Sequence, residues 1–235
     1  PEFALEDKVS GSIRVQPCKS PVWDTAITLR ALSAGGLPPD HPAIRKAVEW
    51  LLKQQITRRG DWAETVRATP GGWCFEHSNA FYPDSDDTAM VLMALREQFN
   101  NAIRSCEALP PELRLVSDQT DERIDGARHR VADMDETAKA IARGLEWILA
   151  MQNDDGGWGA FDRNNNHKFL CYVPFADHNA MIDPSTPDLT GRVLEALGKL
   201  GLSLDNPAVD RAVAYLRRTQ EVDGSWFGRW GVNYV

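Results

Sequence analysis

Lys46-Ala-Val-Glu-Trp50-Leu51, followed by Gln55 and then Gly60-Asp61-Trp62, is a pattern that returns twice more along the chain. The second copy is Arg143-Gly144-Leu-Glu-Trp147-Ile148 with Gln152 and Gly156-Gly157-Trp158; the third is Arg211-Ala-Val-Ala-Tyr215-Leu216 with Gln220 and Gly224-Ser225-Trp226. Each copy spaces its apolar residues as a helix does, then breaks into a Gln, a turn containing Asp or Asn and Gly, and a Trp. A Gln amide near a helix end can hydrogen-bond the exposed terminal carbonyls, and an indole at the turn has a large apolar face to bury against the next unit. A single spacing of this kind arises by chance. Copies in register mark a repeat, with Trp62, Trp158 and Trp226 as structural plugs.

A second set of helices lies between the copies: Trp23-Asp24-Thr25-Ala26 into Leu29 and Leu32, Asp86-Asp87-Thr88-Ala89 into Leu92 and Leu95, and Asp188-Leu189-Thr190 into Val193, Leu194 and Leu197. Each places Asp and Thr near an N-cap position and then runs apolar with a period near 3.6. The chain therefore alternates inner and outer helices, and helix pairs that cannot bury their faces alone stack into a solenoid or close into an α/α toroid. The expected fold is all-α, with irregular connections at about residues 63–83, 153–187 and 221–235. The polar stretch 100–133, which contains Pro110-Pro111, reads as a solvated insertion with helical pieces.

Composition narrows the function. Of 235 residues, 26 are Lys or Arg and 34 Asp or Glu, a net charge of −8 with 43% hydrophobic residues, so the chain is globular rather than disordered or collagenous. Nucleic acid is excluded as the main partner, because phosphate binding needs clustered cations and the densest groups are Arg58-Arg59 and Arg217-Arg218. Cys18, Cys74, Cys106 and Cys171 lie far apart without a Cys-x-x-Cys pair, which points to neither zinc nor a disulfide framework. His41, His129 and His167 read as surface residues, without metal-ligand spacing. No apolar run approaches the length of a spanning helix. The start at Pro1 and the stop at Val235 read as those of an internal fragment.

Tyr82-Pro83-Asp84-Ser85-Asp86-Asp87-Thr88-Ala89 crowds three carboxylates at the start of a strongly apolar helix. One reading is capping and dipole compensation, for which one or two Asp suffice. The other is a proton-donating site: adjacent carboxyls in a dry pocket cannot all ionise, so one keeps its proton at neutral pH and is poised as an acid toward a base as weak as an alkene. Aromatic faces would then stabilise the cation, and the chain holds 8 Trp, 8 Phe and 4 Tyr. Asp133-Met-Asp135-Glu136-Thr137-Ala138 looks similar but lacks the Tyr-Pro approach, and reads as the cap of the helix running to Trp147.

Asp84-x-Asp86-Asp87-Thr-Ala, the Gln…Gly-x-Trp repeats, Ser20-Pro21-Val22-Trp23-Asp24-Thr25 and the ending Asp223-Gly-Ser-Trp-Phe-Gly-Arg-Trp-Gly-Val-Asn-Tyr234 together resemble the bacterial squalene-hopene cyclases, over nearly the whole chain outside 100–133. The resemblance implies the central part of an (α/α)6 barrel, spanning residues 1–235, in a class II triterpene cyclase that needs no cofactor or metal. It implies that Asp86 protonates squalene, that Asp84 and Asp87 hold charge and hydrogen bonds around it, and that Trp23, Phe75, Trp147, Phe161, Phe175 and Trp230 line the cavity. The products would be pentacyclic hopene and hopanol. Related oxidosqualene cyclases carry Asp-Cys where this chain has Asp86-Asp87, which favours the plain alkene as substrate. It further implies a peripheral place on the cytoplasmic face of the bacterial inner membrane, through parts outside this chain, with a homodimer left open.

Arg192 departs from the resemblance, since some members place a His there to brace the acidic motif. A guanidinium could fork onto Asp84 or Asp87 and keep them anionic, leaving Asp86 as the proton carrier. His178 stands where the family can place an aromatic. The competing readings are a related cyclase acting on another polyprene, such as a diphosphate, and a non-catalytic α/α toroid used for binding. The magnesium-holding Asp-Asp-x-x-Asp arrangement is absent from the chain.

Overall fold

The computed structural model describes residues 4–6, 10–15, 19–76, 79, 81–107, 122–167, 169–170 and 181–228. A short antiparallel ribbon, β1 (Ala4–Glu6) with β2 (Ile13–Val15), precedes the helices α1 (Pro21–Ala34), α2 (Pro42–Gln54), α3 (Ser85–Glu107), α4 (Glu122–Ala150), α5 (Pro187–Lys199) and α6 (Pro207–Arg218). Four of them, α1, α2, α5 and α6, begin on a Pro whose missing N–H costs nothing at that position. His41 and Asn206 cap α2 and α6 by accepting from Ala43 and Ala208 N–H.

Helices α1, α3 and α5 lie side by side in one layer, and α2, α4 and α6 back them in a second, each outer helix against its inner partner. This is the all-α, two-layer arrangement of an α/α toroid. Helix α3 sits between two inner neighbours and beneath α4, so every residue from Thr88 to Leu95 is buried, which is why that stretch is apolar all round. Leu29, Leu51, Leu92, Leu95, Ile148, Val193 and Leu197 fill the space between layers, each burial stabilising the fold by about 2 kcal/mol.

The repeats close as clamps. Gln55 Nε2 donates to the carbonyls of Gly71 and Ala140, both at 2.8 Å, while Arg143 donates to its Oε1. Gln152 does the same with Gly156 and Ala208, and Arg211 with Gln152 Oε1. The plug indoles donate back into the preceding helix, Trp158 to Ile148 O and Trp226 to Leu216 O.

In the first repeat that place belongs to Trp73, which donates to Leu51 O at 2.7 Å. The plug is therefore the Trp of Gly71-Gly72-Trp73, and Trp62 belongs to an intervening excursion with a short 3₁₀ turn at Asp61–Glu64. A second correction concerns the 100–133 segment. Helix α3 runs on to Glu107 and α4 already begins at Glu122, so Asp135 lies inside α4 rather than at its cap, and pairs with Lys139 one turn on.

Candidate active site

The acidic motif stands at the N-terminus of α3, where orphan N–H groups and the helix dipole favour negative charge. Asp84 is the cap: its Oδ1 accepts from the N–H of Asp86 at 2.6 Å and of Asp87 at 3.1 Å. The approach to it is pinned by the clamp of the first repeat, since Asp84 N–H donates to Trp73 O and Trp73 N–H donates to the Thr88 hydroxyl. The next free amide of the helix, Ser85 N–H, goes to the carbonyl of Ala160 at 2.8 Å. Capping thus occupies one carboxylate and leaves two for other work.

Those two differ in surroundings. Asp87 is 1% exposed, its Oδ1 has no hydrogen-bond partner among the described residues, and burial with the neighbouring Asp86 charge pushes its carboxyl up to about 7. Burial, then the charges of Asp87 and Asp86, raise Asp84 well above the carboxylate range, against the pull of its amide donors. Asp86 faces more open space. Burial raises it too, but Arg192 pulls it down.

Arg192, on α5, places Nη1 at 2.6 and 2.7 Å from the two oxygens of Asp86, with its guanidinium 4.6 Å from the centre of the Trp23 ring. The expected fork onto Asp84 or Asp87 is therefore replaced by a contact with Asp86. The physical reason is access: Asp84 and Asp87 turn into the packed helix start, and Asp86 alone of the motif is partly open toward α5. Asp188 and Asp24, at the starts of α5 and α1, add negative charge that bears on Asp86 and Asp87.

Of the aromatic candidates, Trp23 joins this group through Arg192. Phe161 is 41% exposed and follows directly on Ala160, whose carbonyl caps α3. Phe75, half-buried, lies two residues beyond Trp73 on the approach to the motif. Trp147 does not line an opening: it is fully buried between the layers, edge-on to Trp62 with ring centres 6.1 Å apart. The outer-helix position of Trp147 turns its ring into the interlayer core instead. Phe175, Trp230 and His178 lie outside the described residues. Among the described residues no group of His, Cys, Asp and Glu is arranged to hold a metal, and no helix is long and apolar enough to cross a membrane.

Sequence reasoning missed Asp183. It is 8% exposed and accepts from three successive backbone amides, those of Ala160, Phe161 and Asp162. The only signal was an Asp ahead of Pro184 across from a Gly-x-x turn, too common a pattern to select.

Inner helices packed side by side, with a cluster of three carboxyls, two of them buried, at the start of the central one, fit the class II triterpene cyclases. The family model described as the squalene-hopene cyclase C-terminal domain matches residues 19–109 and 118–235, and the chain belongs to that family. It is 42% identical over 234 residues to the squalene–hopene cyclase of Zymomonas mobilis, covering 98% of this chain and 31% of that protein. It is 42% identical over 226 residues to the squalene–hopene cyclase of Alicyclobacillus acidocaldarius, covering 96% and 31%. It is also 44% identical over 231 residues to the dammaradiene synthase of Dryopteris crassirhizoma, covering 94% and 29%. The chain thus spans less than a third of the length of these relatives.

Proposed function

We propose that this chain carries the acid of a class II triterpene cyclase that protonates squalene and closes it into pentacyclic hopene and hopanol. The observation that carries the reading is the carboxyl cluster at the start of α3, with Asp84 and Asp87 buried, Arg192 bonded to the partly open Asp86, and Trp23 stacked on the Arg192 guanidinium. At rest the proton is held by Asp84 and Asp87, where ionisation is costly, and Asp86 is the anion that pairs with Arg192.

When the proton moves to Asp86, one of its oxygens keeps the Arg192 hydrogen bond as a neutral acceptor, and the hydroxyl on the other faces the terminal double bond. Transfer forms a C–H bond and a tertiary cation, and the carboxylate left behind regains both contacts with Nη1. Arg192 thus stabilises the product of proton transfer more than the neutral acid, which is the condition for lowering the barrier. Aromatic faces such as Trp23 and Phe161 replace the solvation that the cation would have in water. Loss of a proton from the final cation ends the cascade as hopene, and capture of water, followed by loss of a proton from the captured oxygen, ends it as hopanol.

The same reading places the whole protein at the cytoplasmic face of the bacterial inner membrane, held peripherally by parts outside this chain, where an apolar polyene is dissolved. A homodimer is compatible with it. The similarity to a dammaradiene synthase supports a second reading, in which the same acid starts a cascade that ends on another triterpene skeleton.

The test is gas chromatography with mass detection of squalene incubated with the full-length protein and with its Asp86→Asn variant. Pentacyclic products that disappear in the variant are expected. Undiminished products from the variant would remove Asp86 as the delivering acid.

A further inference from the structure

Asp183 is a buried carboxylate that the proton chemistry does not use. Its Oδ1 accepts from Ala160 N–H at 3.0 Å, and its Oδ2 accepts from Phe161 N–H at 2.6 Å and Asp162 N–H at 2.8 Å. Consecutive amides aimed at one point form a concavity for an anion, and here the chain fills it with its own side chain. Space around it is minimal: a Cβ on Gly159 would collide with the Asp183 carbonyl and carboxylate. Its own N–H donates to Asn165 O at 2.8 Å, so the approach to α5 and the turn after Trp158 are sewn together on both sides of the carboxylate.

That turn has two outputs. Its first residue, Ala160, gives its carbonyl to Ser85 N–H, the amide between the capping Asp84 and the delivering Asp86. Its second, Phe161, projects a partly exposed ring from the same peptide. We infer that Asp183 is a positioning residue of the acid site: its carboxylate fixes the turn that carries Phe161 and, through the Ala160 carbonyl, the first peptide of α3. The inference rests on the cyclase reading and adds to it a residue that never meets the substrate. An Asn at 183 would offer one acceptor and one donor to three donors, which releases at least one amide and lets the turn relax.

The experiment compares the products made from squalene by the full-length wild type and by the Asp183→Asn, Asp183→Glu, Phe161→Leu and Asp183→Asn/Phe161→Leu variants. If Asp183 acts through Phe161, Asp183→Asn raises the share of early-terminated products about tenfold, the scale expected when a cation-stabilising face moves by a fraction of an ångström. The double variant then matches Phe161→Leu alone, because the ring that Asp183 positions is already gone. Asp183→Glu, which keeps every acceptor but lengthens the side chain, shifts the share in the same direction. A purely structural role would lower yield and melting temperature at an unchanged product ratio, and that result in the folded Asn variant would overturn the inference. Should the Asn variant not fold, a wild-type ratio from the folded Glu variant would overturn it equally. A wild type that makes no cyclised product refutes the cyclase reading and this inference with it, an outcome distinct from unchanged ratios in an active enzyme.

Discussion

Replacing Asp87 with Asn is expected to stabilise the protein above neutral pH while abolishing turnover. In the folded state burial and the Asp86 charge move this carboxyl from 3.8 to about 7, whereas in the unfolded chain it titrates at its ordinary value. The folded state therefore keeps a proton that the unfolded state has lost. The contribution to stability is fully present below pH 3.8 and is gone above about pH 7, and between these values it shrinks by about 1.4 kcal/mol per pH unit. The full span corresponds to ~4 kcal/mol, of which roughly half is assigned to Asp87 because Asp84 shares the proton. An Asn of the same shape carries no such cost. Melting curves of the full-length wild type and variant, recorded from about pH 5 to about pH 8, read this directly. The variant's advantage should widen up to neutrality, stay constant above it, and amount there to about 2 kcal/mol. An advantage that does not change with pH, or a variant that melts lower at the alkaline end, would refute burial as the cause of the retained proton.

Arg192→Gln removes the cation that compensates Asp86 after proton transfer; losing a charge-assisted hydrogen bond of about 2 kcal/mol lowers kcat by about 30-fold, measured as squalene turnover under saturation. With Arg192→His the lost activity should return only at acidic pH, where the imidazole is charged, and fade as the pH rises through about 6.5. Gln55→Ala strands the Gly71 carbonyl and the Arg143 guanidinium and removes a second donor from the helical Ala140 carbonyl, and should cost about 3 kcal/mol by denaturant unfolding.

The inner and outer helices were legible because their apolar spacing and Pro or Asp starts are local signals, and α1, α3 and α5 begin within a few residues of where those signals sit. The acidic motif was legible for the same reason. What escaped the sequence depends on closure in space. Gly60-Asp61-Trp62 imitates the short spacing of the later repeats, so it hid Gly71-Gly72-Trp73, whose indole holds the first clamp. Asp135 resembled a cap because the helix before it is polar, and polar residues on a helix face do not announce a helix. Arg192 meets the motif at Asp86 rather than at Asp84 or Asp87; which carboxylate it meets is decided by the rotation of α5 against α3, and no spacing along the chain encodes that.

The clamps have a consequence for how such a chain can change. Gln55 and the Gly71 carbonyl that it holds are sixteen positions apart, whereas Gln152 and Gly156 are four apart. The bonds made at the two ends match, so the clamp registers where the chain departs and returns and is indifferent to what passes between. Length and content of that passage are therefore free to drift or to be exchanged without unseating the helices. In the first repeat the passage has been put to use, since it lowers Trp62 onto Trp147. A designer seeking room for new contacts beside the acid would find it in such a passage, where added residues leave the frame untouched.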